Sequence, residues 1–574
     1  MPYLVLEDFR AGLDQRRLSE ASAPGSLQVL KNAHINRGGE IEKAKLWYPK
    51  YTLPANTFGL LGLNASLYVF GSISPPSMPA GTTYQQLAGP DSNTMVDVIS
   101  ADSFSGSPYV VAEYGSSLQY HFFNGTIVDD WYEGLVRSSM TNNDGIATHI
   151  RDLINADTGN VVSATAAGAV VTVTADATNT AFTISATAVN KTGGVNDQTA
   201  VVATPTPPGV GVAQVSTVTI GGTFEAGDKF TVIINGRYYG ITGMEEAPVR
   251  SVITHKNKEY AASGVNLFFS GVAEPSMWKP QNTGSGVIDM SAQTSNEETL
   301  TALGVYQNNL AVFTRNTTQV WSMDPDPATN VQLQVLDNVG TQSPKTVVGF
   351  GDSDVFFLSD FGIRSLRARD SSNSAGINDV GTPIDNLIIS EIEAQSATDI
   401  TEACAAIEPR NGRYILSINS KMYVFSYFPS SKIAAWSTWE PGFGVTDFAT
   451  LSGRLYGRKD DIIYLLGGDN NDQYTAQEVV VEMPYLDART IGTWKRWTGL
   501  DLILEGQWDV FVNTNPLQPT VWEKTATVYQ TSIGQMKLGM QQYAPMMKFK
   551  FVHQGTGAAK ISKVIVHYQG VREK

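Results

Sequence analysis

Short apolar strands recur along the chain, and each is separated from the next by a turn of Gly, Asn, Asp or Ser. Residues 305–313 place aromatic and β-branched side chains on both sides of an Asn-Asn turn, and a further strand follows at 318–321. Residues 348–358, followed by 362–366, repeat the same plan. Aromatic and β-branched residues favour strands, whereas Gly, Asn and Asp favour tight hairpin turns. The pattern therefore predicts a series of antiparallel meanders.

These meanders recur at nearly regular spacing. Equivalent strands are anchored at Leu67, Tyr109, Glu259, Leu310, Val355, Tyr414 and Leu455. The steps between the anchors are 42, 150, 51, 45, 59 and 41 residues, and most are near the length of a four-stranded propeller blade, about 40 to 50 residues. Radial stacking would bury the apolar face that each repeat exposes alone. We expect a mainly β protein with a β-propeller of about six to seven blades. A run of hairpins from two sandwiches is the alternative.

The one long step coincides with a change in composition over residues 136–246, which predicts an inserted small α+β domain. A helix N-cap at 142–144 precedes apolar residues at helical spacing, and Gly159 is the predicted stop. The apolar positions of this helix are Ile146, Ile150, Leu153 and Ile154. Alternation predicts strands at 169–174, 181–185, 217–220 and 229–234. The stretch 190–214, rich in Thr, Val, Pro and Gly, is interpreted as a loop.

Beyond residue 470 the repeat stops and segments of period two follow. These segments, at 493–497, 500–504, 508–512 and 561–568, fit a separate β-sandwich-like domain or a sheet packed on the propeller. The predicted domain map has four parts. They are an N-terminal segment with the first propeller blades (1–135), the inserted α+β domain (136–246), the remaining blades (247–470) and a C-terminal β-rich domain (471–574).

Charge and composition narrow the function classes. The 574 residues carry a formal net charge of −15, which argues against a protein that grips nucleic acid through a broad basic surface. The single cysteine, Cys404, excludes an intrachain disulfide framework. Residues 1–17 lack the apolar core of a secretory signal, and no run of about 18 apolar residues predicts a membrane-spanning helix. We expect a soluble protein made in a cytoplasm.

Acidic residues give only weak signals of a site. The pairs Asp129-Asp130, Glu245-Glu246 and Glu297-Glu298 are interpreted as solvated loop charge, because adjacent residues of a strand point to opposite faces. The stretches 467–472 and 351–354 offer oxygen ligands for Ca²⁺, but they lack the other features of an EF-hand loop. We interpret both stretches as turns.

Histidines, tryptophans and nucleotide-binding motifs give no site either. The histidines are scattered, with no metal-binding pair at helical spacing, at His34, His121, His149, His255, His553 and His567. Four tryptophans could stack sugars and are interpreted as core or interface residues, namely Trp494, Trp497, Trp508 and Trp522. The sequence has no nucleophile elbow, phosphate-binding loop or dinucleotide-binding glycine motif. We therefore predict no enzyme, no catalytic, metal or cofactor-binding residues and no cofactor, and the binding residues stay open.

The N-terminal stretch resembles the opening of a known family. Its motifs are Phe9-Arg-Ala-Gly12-Leu-Asp14, Pro24-Gly-Ser26 and the stretch from Leu30 to Lys43, which contains Asn32 and Gly38-Gly39. With residues 354–366 and 421–439, these motifs resemble the nozzle (tail tubular protein B-like) and tail-stabilisation proteins of short-tailed bacteriophages. The resemblance covers most of the chain outside the insertion.

The resemblance implies a non-catalytic structural protein of the virion tail. Members of this family form a hexameric ring that continues the DNA channel below the portal and adaptor, retains the genome and opens for DNA ejection. The implied partners are further copies of the chain, the portal and adaptor ring proteins, tail fibres or the tail tip, and double-stranded DNA that passes without specific binding. Two alternatives remain, a tail propeller enzyme that depolymerises polysaccharide and a host-binding adhesin.

Overall fold

The computed structural model describes residues 2–88, 94–115, 118–128, 142–157, 160–190, 195–223, 228–239, 248–278, 284–294, 298–351, 354–368, 375–490, 492–532 and 538–570. Strands account for 53% of the described residues and helices for 9%, which confirms the prediction of a mainly β protein. The chain divides into two units. Unit 1 comprises Met1–Gln85, Thr301–Ser322 and Gln332–Lys574, and unit 2 comprises Gln86–Leu300 and Met323–Val331.

The strands are short and follow one another closely. In the first half of the chain they are β1 Tyr3–Leu6, β2 Val29–Lys31, β3 Ala33–Ile35, β4 Ile41–Lys43, β5 Trp47–Thr52, β6 Phe58–Leu63, β7 Ser66–Gly71, β8 Thr82–Gln86, β9 Met95–Phe104, β10 Ser107–Tyr114, β11 Leu118–Phe123, β12 Thr126–Ile127, β13 Val162–Ala167, β14 Val170–Ala175, β15 Ile184–Val189, β16 Thr199–Thr206, β17 Val215–Gly221, β18 Lys229–Ile234, β19 Arg237–Tyr239, β20 Val249–His255, β21 Lys258–Ser263, β22 Asn266–Phe269 and β23 Gly286–Asp289.

In the second half they are β24 Ala302–Tyr306, β25 Asn309–Phe313, β26 Thr317–Ser322, β27 Val331–Asp337, β28 Val348–Phe350, β29 Asp354–Ser359, β30 Gly362–Ala368, β31 Ala375–Asn378, β32 Cys404–Glu408, β33 Arg413–Ile418, β34 Lys421–Phe428, β35 Ile433–Trp439, β36 Asp447–Leu451, β37 Arg454–Lys459, β38 Ile462–Leu466, β39 Val479–Glu482, β40 Lys495–Glu505, β41 Trp508–Asn513, β42 Glu523–Val528, β43 Leu538–Ala544, β44 Lys548–His553 and β45 Lys560–Gly570. The α-helices are α1 Asn143–Ala156, α2 Asp385–Ala394 and α3 Ala397–Thr401. Within the described ranges, no helix has the length and apolar character that a bilayer crossing requires.

Unit 2 contains two four-stranded antiparallel meanders, β9–β12 and β20–β23. Tyr109 and Val111 of β10 belong to the same buried cluster as Val252, Ala261 and Phe268 of the second meander. Each meander therefore presents an apolar side to the other. The strands that the aromatic pattern predicted around 109 and 260 are confirmed.

A second core of unit 2 surrounds α1. The Asn142 side chain accepts a hydrogen bond from the Gly145 N–H at 2.9 Å, so the helix begins at the predicted N-cap. Ile146, Ile150 and Ile154 are buried together with residues of β13, β14, β17 and β18. The predicted helix is confirmed, while its predicted stop, Gly159, lies outside the described residues.

The prediction of a loop over residues 190–214 is wrong. β16 occupies Thr199–Thr206 within that stretch and pairs antiparallel with β17. It is the outer strand of the sheet β13-β14-β17-β16, and an edge strand tolerates a proline such as Pro205. The strand predicted at 181–185 lies slightly later, at Ile184–Val189.

Unit 1 contains further meanders whose neighbouring faces share buried aromatic residues. The rings of Phe313 in β25 and Phe357 in β29 are 5.0 Å apart, which joins β24–β27 to β28–β31. Phe356 lies 5.2 Å from Tyr414 and 5.9 Å from Phe425, which joins β28–β31 to β32–β35. Consecutive sheets therefore pack face to face in chain order.

A strand from the start of the chain completes the last of these meanders. β5 pairs antiparallel with β38, so the sheet runs β36-β37-β38-β5, with Thr52 opposite Ile462. The next sheet, β6–β8, shares a buried cluster with it that includes Leu67 and Ala449. A strand from the N-terminal region thus completes a sheet whose other strands lie in residues 447–466.

The C-terminal strands lie in two larger sheets that also use the N-terminal strands. One sheet has the order β32-β33-β34-β35-β2-β39-β44-β41-β42, and the other has the order β3-β4-β45-β40-β43 with β1 on β45. Trp497 and Trp508 are fully buried in the core that these sheets share. The strands of residues 471–574 are therefore built together with β1–β4, and β2 links β35 to β39.

Candidate functional site

A polar pocket of about 340 Å³ lies in unit 1. Three segments that are distant in sequence line it, namely the β3–β4 hairpin with the residues after it, the turn before β33 and the loop after β38. The lining side chains include His34, Asn36, Arg37, Glu42, Lys45, Asn411, Arg413 and Asn471. Because nearly all of them carry a charge or an amide, the pocket suits a polar ligand.

Asn36 organises the hairpin turn at the pocket. Its side-chain oxygen accepts hydrogen bonds from the N–H groups of Gly38 at 2.9 Å and Glu40 at 3.1 Å. Its amide donates to the carboxylates of Glu40 at 3.0 Å and Glu42 at 3.2 Å. Gly39 has a φ of 81°, in the left-handed region where glycine is favoured. The Asn-Arg-Gly-Gly-Glu stretch thus forms a turn held by its own side chains.

Two cationic side chains reach the pocket and have no carboxylate partner among the described residues. Arg37 donates to the Arg410 carbonyl at 3.3 Å and lies 5.4 Å from the centre of the Phe428 ring. The Lys45 ammonium lies 3.7 Å from the centre of the Tyr474 ring. Aromatic faces attract such cations but leave their charge uncompensated. Both side chains can therefore bind an anion.

Arg413 supplies a third positive charge, from a buried position. The residue is 5% exposed, and its guanidinium donates to Glu408 at 3.1 Å, a carboxylate that also accepts from Asn411 at 2.8 Å. Burial lowers the pKa of Arg413 despite the nearby Glu408, although an arginine stays protonated in proteins. Its Nε is buried without a hydrogen-bond partner in the described structure. A buried donor without an acceptor costs about 1–3 kcal/mol, so an acceptor placed near this atom would be stabilising.

His34 lines the same pocket as a neutral imidazole. It is 1% exposed, and burial, followed by the charges of Arg413 and Lys45, holds its pKa well below the ordinary 6.5. Its Nδ1 is also buried without a partner among the described atoms, and its ring lies 5.7 Å from that of Trp439. The lining thus contains three cationic side chains, one neutral imidazole and one carboxylate, that of Glu42. This arrangement can hold an anion.

Comparisons with known proteins do not assign the chain to a family. No known sequence family matches it, and no curated protein matches it. Among solved structures, Hsv2 of Kluyveromyces marxianus is 9% identical with a TM-score of 0.24, and the alignment covers 55% of this chain and 95% of the Hsv2 chain. The AfRom2 CNH domain is 9% identical with a TM-score of 0.26, over 46% of this chain and 86% of its own. A Bacteroides uniformis protein described as a 6-phosphogluconolactonase is 9% identical with a TM-score of 0.27, over 56% and 82%.

The acidic loop at 467–472 is occupied by protein cations. Arg454 donates to the carbonyl oxygens of Leu466, Gly468 and Asp469. Lys50 lies 2.6 Å from the Asp469 carboxylate. Positive side chains thus take the oxygens that a calcium ion would need. Of the second acidic stretch, 351–354, only the first and last residues are described, and no group of His, Cys, Asp or Glu able to hold a metal occurs among the described residues.

Neither the cysteine nor the one described residue of the acidic pairs lines the pocket. The pairs at 129–130 and 245–246, and Glu297, lie outside the described residues, while Glu298 is described and does not line the pocket. Cys404 is buried and donates to the Val445 carbonyl at 3.1 Å. Burial raises the pKa of this thiol, which therefore stays protonated.

The histidines and tryptophans are dispersed through the fold. His34 lines the pocket, whereas His121 bonds to Tyr109, His553 to Lys43 and Gln507, and His567 to Asp501. Trp497 and Trp508 are core residues, as predicted. Trp494 is 49% exposed and stacks on Tyr543 at 4.9 Å. Trp522 lies 4.6 Å from the Lys550 ammonium.

Unit 2 holds a buried acid that the sequence analysis used only as a strand anchor. Glu259 of β21 is 0% exposed, and one of its oxygens accepts from the Thr254 hydroxyl at 2.7 Å. The other oxygen has no hydrogen-bond partner among the described residues. Burial, followed by the nearby Asp102, raises the pKa of Glu259 well above the ordinary 4.5. A carboxyl in this setting is stable in its protonated form.

This acid predicts a pH dependence of unit 2. The folded state binds the Glu259 proton more tightly than the unfolded state does. The free energy of unfolding therefore falls as pH rises from about 4.5 through the raised pKa. We expect Glu259→Gln to remove this slope and to unfold at higher denaturant concentration than the wild type at pH 8. Chemical denaturation between pH 5 and pH 8 measures it, with the exposed Glu274→Gln as control. Parallel pH profiles of wild type and Glu259→Gln would contradict the prediction.

Proposed function

We propose that this chain is a structural subunit of the tail of a short-tailed bacteriophage and has no catalytic role. The single observation that carries the proposal is the role of the N-terminal segment, one of the parts of the chain that carry the resemblance. Phe9, Leu13, Leu27 and Leu30 are each at most 1% exposed. The motif residues therefore specify the fold, as expected if the likeness to nozzle proteins reflects a shared architecture.

Two glycines and an asparagine of these motifs support the same view. A Cβ on Gly12 would lie 2.7 Å from the Ala435 Cβ, and one on Gly25 would collide with the Asp8 carbonyl oxygen. Asn32 donates to the Glu478 carbonyl at 2.8 Å and is 2% exposed. Only small or specifically bonded side chains fit these positions. Conformational demands thus account for these three motif residues.

We further propose that the repeated meanders are the blades of a β-propeller. Seven groups of consecutive strands among the described residues resemble this plan. Six have four strands, namely β9–β12, β20–β23, β24–β27, β28–β31, β36–β38 with β5, and β32–β35 within the nine-stranded sheet, while β6–β8 has three. A strand from the N-terminal region that completes a late sheet is a common way to protect sheet edges in closed architectures. The β5–β38 pairing fits this scheme.

In the virion, we propose that copies of the chain form a ring, expected to be a hexamer, below the portal and adaptor. Head-to-tail contacts that close into a ring suit a subunit of this kind. The ring would contact tail fibres or the tail tip, retain the genome and open for ejection. The net charge of −15 lets double-stranded DNA pass without being gripped.

Phage particles assembled without this chain test the proposal. We expect such particles to lose their packaged DNA and to regain it when the wild-type chain is supplied in trans. Native mass spectrometry of the full chain with adaptor rings is expected to show six copies per ring. Particles that lack the chain yet stay sealed would contradict the structural role. Release of reducing sugars from host polysaccharide would favour the depolymerase instead, and binding of the free chain to host cells would favour the adhesin.

A further inference from the structure

We propose that the pocket between the β3–β4 hairpin and the turn before β33 is a binding site for one phosphate group, supplied by inorganic phosphate or by a phosphate monoester. The inference does not rest on the proposed function. It rests on groups within unit 1 that lack partners of opposite charge and on two buried nitrogen atoms that lack hydrogen bonds.

The first argument is the convergence of uncompensated positive charge. Arg37 and Lys45 line the pocket, and neither has a carboxylate partner among the described residues. Arg413 lines it too and reaches Glu408 through Nη1 at 3.1 Å. Phosphate oxygens match the planar fork of arginine and the point charge of lysine. Such a group would compensate unpaired positive charge in the lining.

The second argument is the pair of unsatisfied buried atoms. Arg413 Nε can only donate, and His34 Nδ1 can donate or accept, yet neither has a partner in the described structure. Both residues are at least nine-tenths buried, at 5% and 1% exposure, and both line the pocket. Most buried polar atoms are hydrogen-bonded, so two such atoms in residues that line one pocket mark a wall with unused hydrogen-bonding capacity.

The pocket contains one opposing charge, and this charge is partly engaged. The Glu42 carboxylate accepts from Asn36 at 3.2 Å and lies 3.8 Å from the Lys560 ammonium. The lining therefore stays positive within a chain of net charge −15. The negative charge of the whole chain repels a long polyanion, whereas the local positive charge of the lining can attract a single phosphate group.

The volume indicates how much else can enter. The pocket of about 340 Å³ is many times larger than the space that one water needs. A phosphate group fits with ordered water or with a small organic substituent. This size is the reason to include a monoester as well as the free ion.

Isothermal titration calorimetry of the full chain with sodium phosphate at pH 7.5 tests the site, with sodium chloride at equal ionic strength as the reference. We expect saturable phosphate binding that Arg37→Gln and Lys45→Gln each weaken about tenfold or more, because each removes a charge-assisted contact. The matched control is Arg496→Gln, an exposed arginine on β40 that does not line the pocket. Circular dichroism verifies that all variants stay folded.

The remaining arms decide the ligand class. Tighter binding of a nucleoside monophosphate than of inorganic phosphate, with the same loss in Arg37→Gln, would support the monoester as the source, and the reverse order would support the free ion. Acetate that binds as tightly as phosphate would overturn the phosphate class. An absence of saturable binding in the millimolar range, or an equal loss in Arg496→Gln, would overturn the site.

Discussion

Replacing Arg413 by methionine is expected to lower the free energy of unfolding of unit 1 by about 3–5 kcal/mol, because it leaves a buried carboxylate without its counter-ion. The side chains of Arg413 and Glu408 are each 6% exposed and lie 3.1 Å apart. Methionine keeps the apolar stem and removes the charge. Urea unfolding followed by far-UV circular dichroism measures the change.

A surface ion pair of the same unit provides the control. Arg315 lies 2.7 Å from Asp360, with side-chain exposures of 57% and 23%. We expect Arg315→Met to cost about 0–1 kcal/mol, since water screens an exposed pair. The double variant Arg413→Met with Glu408→Leu should recover much of the loss, because no buried charge stays unpaired. Equal losses in Arg413→Met and Arg315→Met would contradict the prediction.

Substituting Gly12 by alanine is the second change from which we expect a large effect. Gly12 has a φ of 60°, and an added Cβ would lie 2.7 Å from the Ala435 Cβ and 2.8 Å from the Trp436 carbonyl oxygen. The positive φ costs about 1–2 kcal/mol for a residue other than glycine. Overpacking adds about 1–3 kcal/mol. The midpoint of urea unfolding should therefore fall clearly.

Gly453→Ala separates the two causes. Gly453 has a φ of 69°, but an added Cβ meets no atom within 4 Å. This variant should show only the backbone cost. If Gly12→Ala were no more destabilising than Gly453→Ala, the close approach of Gly12 to β35 would not contribute to stability.

Local patterns predicted the elements of this fold better than their pairing. Aromatic and β-branched alternation around 305–313 predicted β24 and β25, and the spacing of Ile146, Ile150 and Ile154 predicted α1. No sequence pattern predicted the parallel pairing of β2 with β35. Periodicity reports which face of an element is buried and is silent about which distant strand covers it. β16 was not predicted for another reason. As an edge strand it tolerates Pro205 and many exposed residues, and such a composition is also typical of a loop.

The pocket could not be predicted from the sequence for a related reason. Its cations come from residues 37, 45 and 413, and no motif places such residues together. The Asn-Arg-Gly-Gly-Glu turn was visible only as part of a family resemblance. Arg37 directly before Gly38-Gly39 is a sequence pattern that could have indicated a cation at a turn. No sequence pattern marks Arg413 or His34 as residues of a site. Their importance arises from burial, which only the folded chain reveals.

The pairing of β5 with β38 bears on how the protein is made. During synthesis, at about 5–20 residues per second, the ribosome needs roughly 20–80 s after β5 emerges to deliver its partner. For that time the nascent chain displays strand edges that can pair with other chains. Translation speed and chaperone supply should therefore govern the soluble yield, and slowing elongation ahead of residue 462 should increase aggregation.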